Sequence, residues 1–178
     1  MNLTERVESV ILSNLQPKEE RRIGIECECI FHNKRGERIP VNPSDELSST
    51  DILKELLKKQ SRDSTKSGYT LEPGGQIEWA SPPLKTLHDL SKELEINRTR
   101  IMDIVKRDEL RSIDYSLEPI HEPSEIHIID NKKYFLMNKM FMQTGRLGPW
   151  MMRNTASIQI NIDYSSKDEA EKMGFVAD

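Results

Sequence analysis

Residues 22–32, RIGIECECIFH, alternate strictly, and this alternation limits the fold more than any other feature of the chain. Successive side chains of a strand point to opposite faces. Ile23, Ile25, Cys27, Cys29 and Phe31 therefore share one face, and Glu26 and Glu28 take the other. The same division recurs in YTLEPGGQIEWASPP, residues 69–83, where a Pro-Gly-Gly turn joins TLE to QIEWAS as a hairpin. Gln76 and Glu78 share one face there, Ile77 and Trp79 the opposite one. In TASIQINIDY, residues 155–164, Thr155, Ser157, Gln159, Asn161 and Asp163 form a polar front. Ala156, Ile158, Ile160 and Ile162 stand behind them. Three segments thus repeat one design, an apolar back and a front of carboxylates and amides.

Helical signals separate these strands. Asn2 caps a first helix, Glu5 completes a capping box, and Leu3, Val7, Val10, Ile11 and Leu15 share its face. Ser48 to Asp51 open a second, with Ile52, Leu53, Leu56 and Leu57 apolar. The polar run 58–68 that follows reads as a mobile loop. Ser81 with Pro82 and Pro83 introduces a third helix, carried by Leu84, Leu87, Leu90 and Leu94 and continued through Ile101, Ile104 and Val105. Residues 131–144 read as a fourth that Gly145 stops, and Ser166 with Glu169 opens the last.

The polar fronts have two readings. Antiparallel sheets often keep one wet face. A solvated face, however, is usually filled with Thr, Lys and mixed charges, whereas these fronts offer paired Glu, Gln, Asn and Asp. Glu26 and Glu28 repel each other unless a cation offsets them. Carboxylate and amide oxygens are the ligands that Mg²⁺ and Mn²⁺ prefer, and those ions bridge to nucleotide phosphates.

Composition limits the partners. The chain has 178 residues and a net charge of −4, which argues against nucleic acid or an anionic membrane. No apolar run approaches the roughly 20 residues that span a bilayer. The N-terminus lacks the apolar centre of a signal peptide, and Cys27 and Cys29 make no disulfide framework, so a reducing cytoplasm is expected. His32, His88, His121 and His127 show no metal-ligand spacing with cysteine, which argues against zinc.

Four segments then carry a resemblance. GIECE at 24–28, EPGGQIE at 72–78, KYFLM at 133–137 and MMRNTASIQINIDYSSKDEA at 151–170 resemble glutamate–cysteine ligase of the plant-type and proteobacterial branch. The resemblance implies an α+β, glutamine-synthetase-like fold, a curved antiparallel sheet with helices on its outer face. Its concave face would hold metal ions, ATP and glutamate. The implied reaction is ATP-dependent: the glutamate γ-carboxylate takes the terminal phosphate of ATP, and the cysteine amino group displaces it to give γ-glutamylcysteine. By resemblance Glu26, Glu28, Glu78 and Gln159 are metal ligands for Mg²⁺ or Mn²⁺, and Glu78 and Arg153 are catalytic. Glu72, Gln76, Lys133, Tyr134, Met152, Thr155 and Asn161 are the implied substrate and ATP contacts. Lys133 stands where the family usually has Arg, which replaces a two-pronged carboxylate donor by a point charge.

The same resemblance makes residues 1–178 a single unit, the N-terminal part of a longer catalytic domain. Sheet edges meant for later strands would then be exposed and open to self-association. Two alternatives accompany the ligase reading: another carboxylate–amine ligase, and a non-catalytic remnant that binds metal-nucleotide or a full-length ligase.

Overall fold

The computed structural model describes residues 1–60, 68–113 and 115–177. Most of the polar run expected as a mobile loop lies outside these residues. The chain order is α1 (Leu3–Ile11), β1 (Ile23–Cys29), β2 (Phe31–His32), α2 (Ser49–Lys59), β3 (Gly68–Leu71) and β4 (Ile77–Ala80). It continues with α3 (Leu87–Arg107), β5 (Arg111–Ser112), α4 (Lys132–Thr144), α5 (Gly148–Arg153), β6 (Ile158–Ile162) and α6 (Lys167–Ala177). This is an α+β architecture around a four-stranded sheet of order β3-β4-β1-β6, antiparallel throughout.

Register joins segments far apart in sequence. Glu28 lies opposite Glu78, Cys27 opposite Trp79, and Glu26 opposite Gln159. Residues directly opposite share a face, so the apolar and acidic sides predicted strand by strand become continuous across the sheet. On the apolar side Tyr69, Ile77 and Trp79 pack with Ile52 and Leu56 of α2 and Ile104 of α3, and Ile25, Cys27 and Cys29 join them. Cys27 and Cys29 are therefore small packing residues, and burial pushes the Cys27 thiol up. Helices α2 and α3 cover the back and leave the carboxylates on the uncovered side. Leu56 has no exposed surface. Leu56→Ala is expected to cost about 2–5 kcal/mol in a denaturant melt.

Both first helices start as their caps require. Asn2 accepts from the Glu5 amide and Glu5 returns the bond; Ser48 and Asp51 do the same. Three expectations need correction. Strand β1 stops at Cys29, and Phe31 with His32 turns into a second, two-stranded sheet with β5. Helix α3 is capped by Thr86 rather than Ser81. Leu84 instead pairs its backbone with Ile23, and the Ser81 hydroxyl accepts from the Ile25 amide, so sheet pairing outweighs the Ser-Pro-Pro helix signal. Strand β6 covers only Ile158–Ile162: α5, which periodicity did not mark, ends at Arg153, and Thr155 is held to that helix by its hydroxyl bond to the Met151 carbonyl.

Strand β6 is an edge, and its back is uncovered: Ile158 is 71% and Ile160 62% exposed. Helices α1 and α6 lie beside it, tied by Lys167 to Glu8 at 2.6 Å and by the Tyr164 hydroxyl to the Ile11 carbonyl. Leu3, Val7 and Val10 of α1 and Phe175 and Val176 of α6 stay exposed. Among the described residues no helix is long and apolar enough to cross a membrane.

Candidate functional site

The front of the sheet gathers four carboxylates. Glu26 and Glu28 come from β1 and Glu78 from β4, while Glu72 follows β3 at the start of the hairpin loop. Glu28 is held by the Ser157 amide at 2.6 Å and the Ser157 hydroxyl at 3.2 Å. Glu78 accepts from the Thr70 hydroxyl at 2.9 Å, and Glu26 from the Asn161 amide at 3.1 Å. Among the described residues none of the four forms an ion pair.

Electrostatics reports the crowding. Burial raises the Glu28 carboxyl above its ordinary value, and the neighbouring Glu78 and Glu26 push the same way against the Ser157 hydrogen bonds. Burial likewise raises Glu72, with Glu78, Glu28 and Glu26 adding to it and Lys133 opposing. Tyr134 is raised by burial and by Glu72 and Glu78. The N-terminal turn of α4, carrying Lys133 and Tyr134, thus lies within electrostatic reach of the acidic face. The Lys133 ammonium also sits 5.1 Å from the Tyr134 ring centre.

These shifts set a pH dependence. A raised folded-state pKa means that the folded chain binds more protons than the unfolded one. The contribution of Glu28 and Glu72 therefore favours folding below the ordinary glutamate value of 4.5 and is lost as pH rises through the raised values. Thermal melts in chelator should show this downward component above pH 4.5, and Glu28→Gln with Glu72→Gln should remove it. An identical pH profile in the double variant would sink the assignment.

The other predicted residues divide into two groups. Gln159 and Asn161 of β6 stand at the acidic face, Gln159 opposite Glu26. Thr155 does not share that strand. It bridges to Leu117, and its hydroxyl donates to the Met151 carbonyl at 2.7 Å. Gln76 is buried before β4, where its amide nitrogen donates to the Thr155 carbonyl at 3.0 Å and the Met152 carbonyl at 3.5 Å. It bolts the hairpin loop to the end of α5, which strand alternation had missed. Met152 is 1% exposed.

Arg153 ends α5 and is 9% exposed. Its Nε donates to the Ile126 carbonyl at 3.0 Å and its Nη1 to Asn138 of α4 at 2.9 Å. Among the described residues it has no carboxylate partner, and burial lowers its pKa. A buried guanidinium without a counter-ion is costly unless an anion completes it. Helix α4 therefore touches both parts of the site, through Lys133 and Tyr134 at one end and Asn138 further along.

By ligand type the donor set suits hard divalent cations, although among the described residues no three of its carboxylates bring oxygens within 4.8 Å of one another. Oxygens of Glu26, Glu28 and Glu78 with the Gln159 amide share one face, and directly opposed Glu28 and Glu78 lack a neutralising side chain among the described residues. Comparison with known proteins gives the family. The family model of glutamate-cysteine ligase family 2 matches residues 22–177, and the chain belongs to that family. It is similar to glutamate–cysteine ligase A, chloroplastic, of Oryza sativa subsp. japonica, at 28% identity over 93% of this chain and 35% of the relative. It is also similar to the chloroplastic glutamate–cysteine ligase of Medicago truncatula, at 30% identity over 57% of this chain and 20% of the relative. The chain spans about a third of the length of the rice relative.

Proposed function

We propose that residues 1–178 are the N-terminal part of a glutamate–cysteine ligase catalytic domain, built on a glutamine-synthetase-like sheet. The observation that carries this reading is the set of four carboxylates on one sheet face without an ion-pair partner among the described residues, in a chain of this family. Glutamate and ATP are both anionic, so a site that joins them needs added positive charge. When bound, Mg²⁺ or Mn²⁺ supplies that charge and holds the reacting oxygens in line. Glu26, Glu28, Glu78 and Gln159 would hold it, with Glu72 beside them.

The chain's own residues do the positioning. Asn161 and Ser157 fix the Glu26 and Glu28 carboxylates from β6 and its approach. Lys133 and Arg153 offer the cations for the glutamate carboxylate and the phosphate, and Tyr134 borders the same face. In the proposed reaction an oxygen of the γ-carboxylate attacks the terminal phosphorus and ADP leaves. The amino nitrogen of cysteine then attacks the acyl carbon, phosphate leaves and a proton is lost. The product is γ-glutamylcysteine, the first intermediate of glutathione synthesis, made in a reducing cytoplasm.

A second reading is favoured by the uncovered β6 edge: a non-catalytic chain that binds metal-nucleotide, or that pairs through that edge with another ligase chain. Phosphate release from ATP by the purified chain, with Mg²⁺, glutamate and cysteine, separates the two. Glutamate-dependent release is the result expected of a working site. Mg²⁺-dependent nucleotide binding without release favours the second reading, and neither binding nor release would overturn the ligase and the metal-nucleotide readings alike.

A further inference from the structure

A second constellation lies away from the acidic face, and histidine-to-cysteine spacing could not reveal it. His32 belongs to β2, and Glu118 and His121 stand three residues apart in the segment after β5. His121 Nδ1 is 3.2 Å and His32 Nε2 3.7 Å from the same Glu118 oxygen, Oε1. One ligand atom from each residue lies within 4.8 Å of the other two. The imidazoles stack with ring centres 5.9 Å apart.

Burial makes this grouping costly as it stands. Glu118 is 0% and His32 2% exposed, and neither ring nitrogen of His32 has a hydrogen-bond partner among the described residues. An unpaired polar atom sealed from water is costly. A cation ligated by His32 would satisfy one of its nitrogens.

The surroundings orient the carboxylate. Ile120 and His121 amides donate to Oε1 at 2.8 and 3.3 Å. On the other oxygen, Oε2, stand Arg38 Nη1 at 3.6 Å and the Asn154 amide at 3.4 Å. Arg38 thus takes the oxygen that does not face the histidines, and Oε1, fixed by the two amides, is the one that faces both imidazoles. Such outer contacts fix ligand orientation in metal sites. His121 is the more open member, and it lines a cleft of about 580 Å³ with Asn33, Glu37, Arg38 and Ile126, which offers an entry path.

We propose that His32, Glu118 and His121 form a site for zinc or a similar divalent transition ion, separate from the acidic sheet face. Two imidazole nitrogens and one carboxylate suit such an ion better than Mg²⁺, and three protein ligands leave a fourth position for water. The ion would pin β2 to the segment carrying Glu118. Through Arg38, whose Nη2 donates to the Arg153 carbonyl at 2.7 Å, it would also steady the backbone beneath Arg153.

The test uses the full, tag-free chain stripped with chelator. Zinc is titrated by calorimetry and cobalt by visible absorption. The expected result is one ion per chain, tetrahedral cobalt ligand-field bands, and a zinc-dependent rise in melting temperature. His121→Ala should abolish the bands and weaken zinc by at least ~100-fold, beyond the roughly 10–100-fold carried by contacts outside the ligand set. Glu78→Gln should leave both readouts unchanged, which separates this site from the ligase reading. His121→Gln, of similar size, gives the same loss if the alanine variant fails to fold. Absence of the cobalt bands in the wild-type chain, or zinc affinity unaltered in a folded His121 variant, overturns the proposal.

Discussion

Glu78→Gln should leave the metal-free chain folded and slightly more stable, while removing glutamate-dependent phosphate release. The two effects have one cause. Glu78 lies directly opposite Glu28, and neither has an ion-pair partner among the described residues. Like charges directly opposite on neighbouring strands destabilise, so neutralising one should gain about 0.2–1 kcal/mol. The Thr70 hydroxyl bond at 2.9 Å can be kept by the glutamine oxygen, so the β3–β4 pairing should hold. Metal binding runs the other way. Losing one carboxylate from the proposed set should lower turnover by at least about 10²-fold, the scale set by removing one electrostatic contact from a transition state.

Melting with and without Mg²⁺ separates this from a solvated sheet face. The proposed site gives a wild-type chain that gains stability from Mg²⁺ and a Glu78→Gln chain that does not. An ordinary wet face would give the small metal-free gain and no Mg²⁺ response in either chain. A variant that keeps both the Mg²⁺ response and the turnover would remove Glu78 from the site.

The distribution of what could be read in advance follows from the physics. Period-two alternation names the face of a side chain within one strand, so Glu26, Glu28 and Glu78 were legible as front residues. Which of them meet was not, because the Glu28–Glu78 register joins residues fifty positions apart. Local capping marked α1 and α2 correctly, since Asn2–Glu5 and Ser48–Asp51 act within their own turns. It misplaced the start of α3, where the Ile25 amide claims the Ser81 hydroxyl from across the sheet. Thr155 was misread for a related reason. Alternation assumes an extended chain, and Thr155 is bound into the end of α5. The His32 cluster had one local clue, the Glu-x-x-His spacing of Glu118 and His121. Its third member, on β2, could be found only in three dimensions.

Gly74→Ala is the backbone substitution expected to do most damage, and its reason lies in the Pro-Gly-Gly loop. A β-carbon at Gly74 would stand 2.5 Å from the Arg153 α-carbon and 2.8 Å from the Arg153 carbonyl oxygen. Both obstacles are backbone, so no side-chain rotation relieves them. The loop is also bonded in place: Arg38 Nη2 donates to the Gly74 carbonyl at 2.8 Å, the Ile129 amide to the Pro73 carbonyl at 2.8 Å, and Gln76 to the Thr155 carbonyl. Relief would have to break these contacts, and roughly 3 kcal/mol, the upper end of overpacking costs, is expected. At this chain length that lowers the melting temperature by roughly 6–12 °C. Gly36→Ala is the comparison. Gly36, unlike Gly74, has a positive φ, of 83°, but nothing lies within 4 Å of its added β-carbon, so only the left-handed cost of about 1–2 kcal/mol applies. A Gly74→Ala chain that melts like the wild type would mean that the close approach to Arg153 carries no cost. The larger loss at Gly74 would show that this glycine is there to let the hairpin lie against the backbone of Arg153.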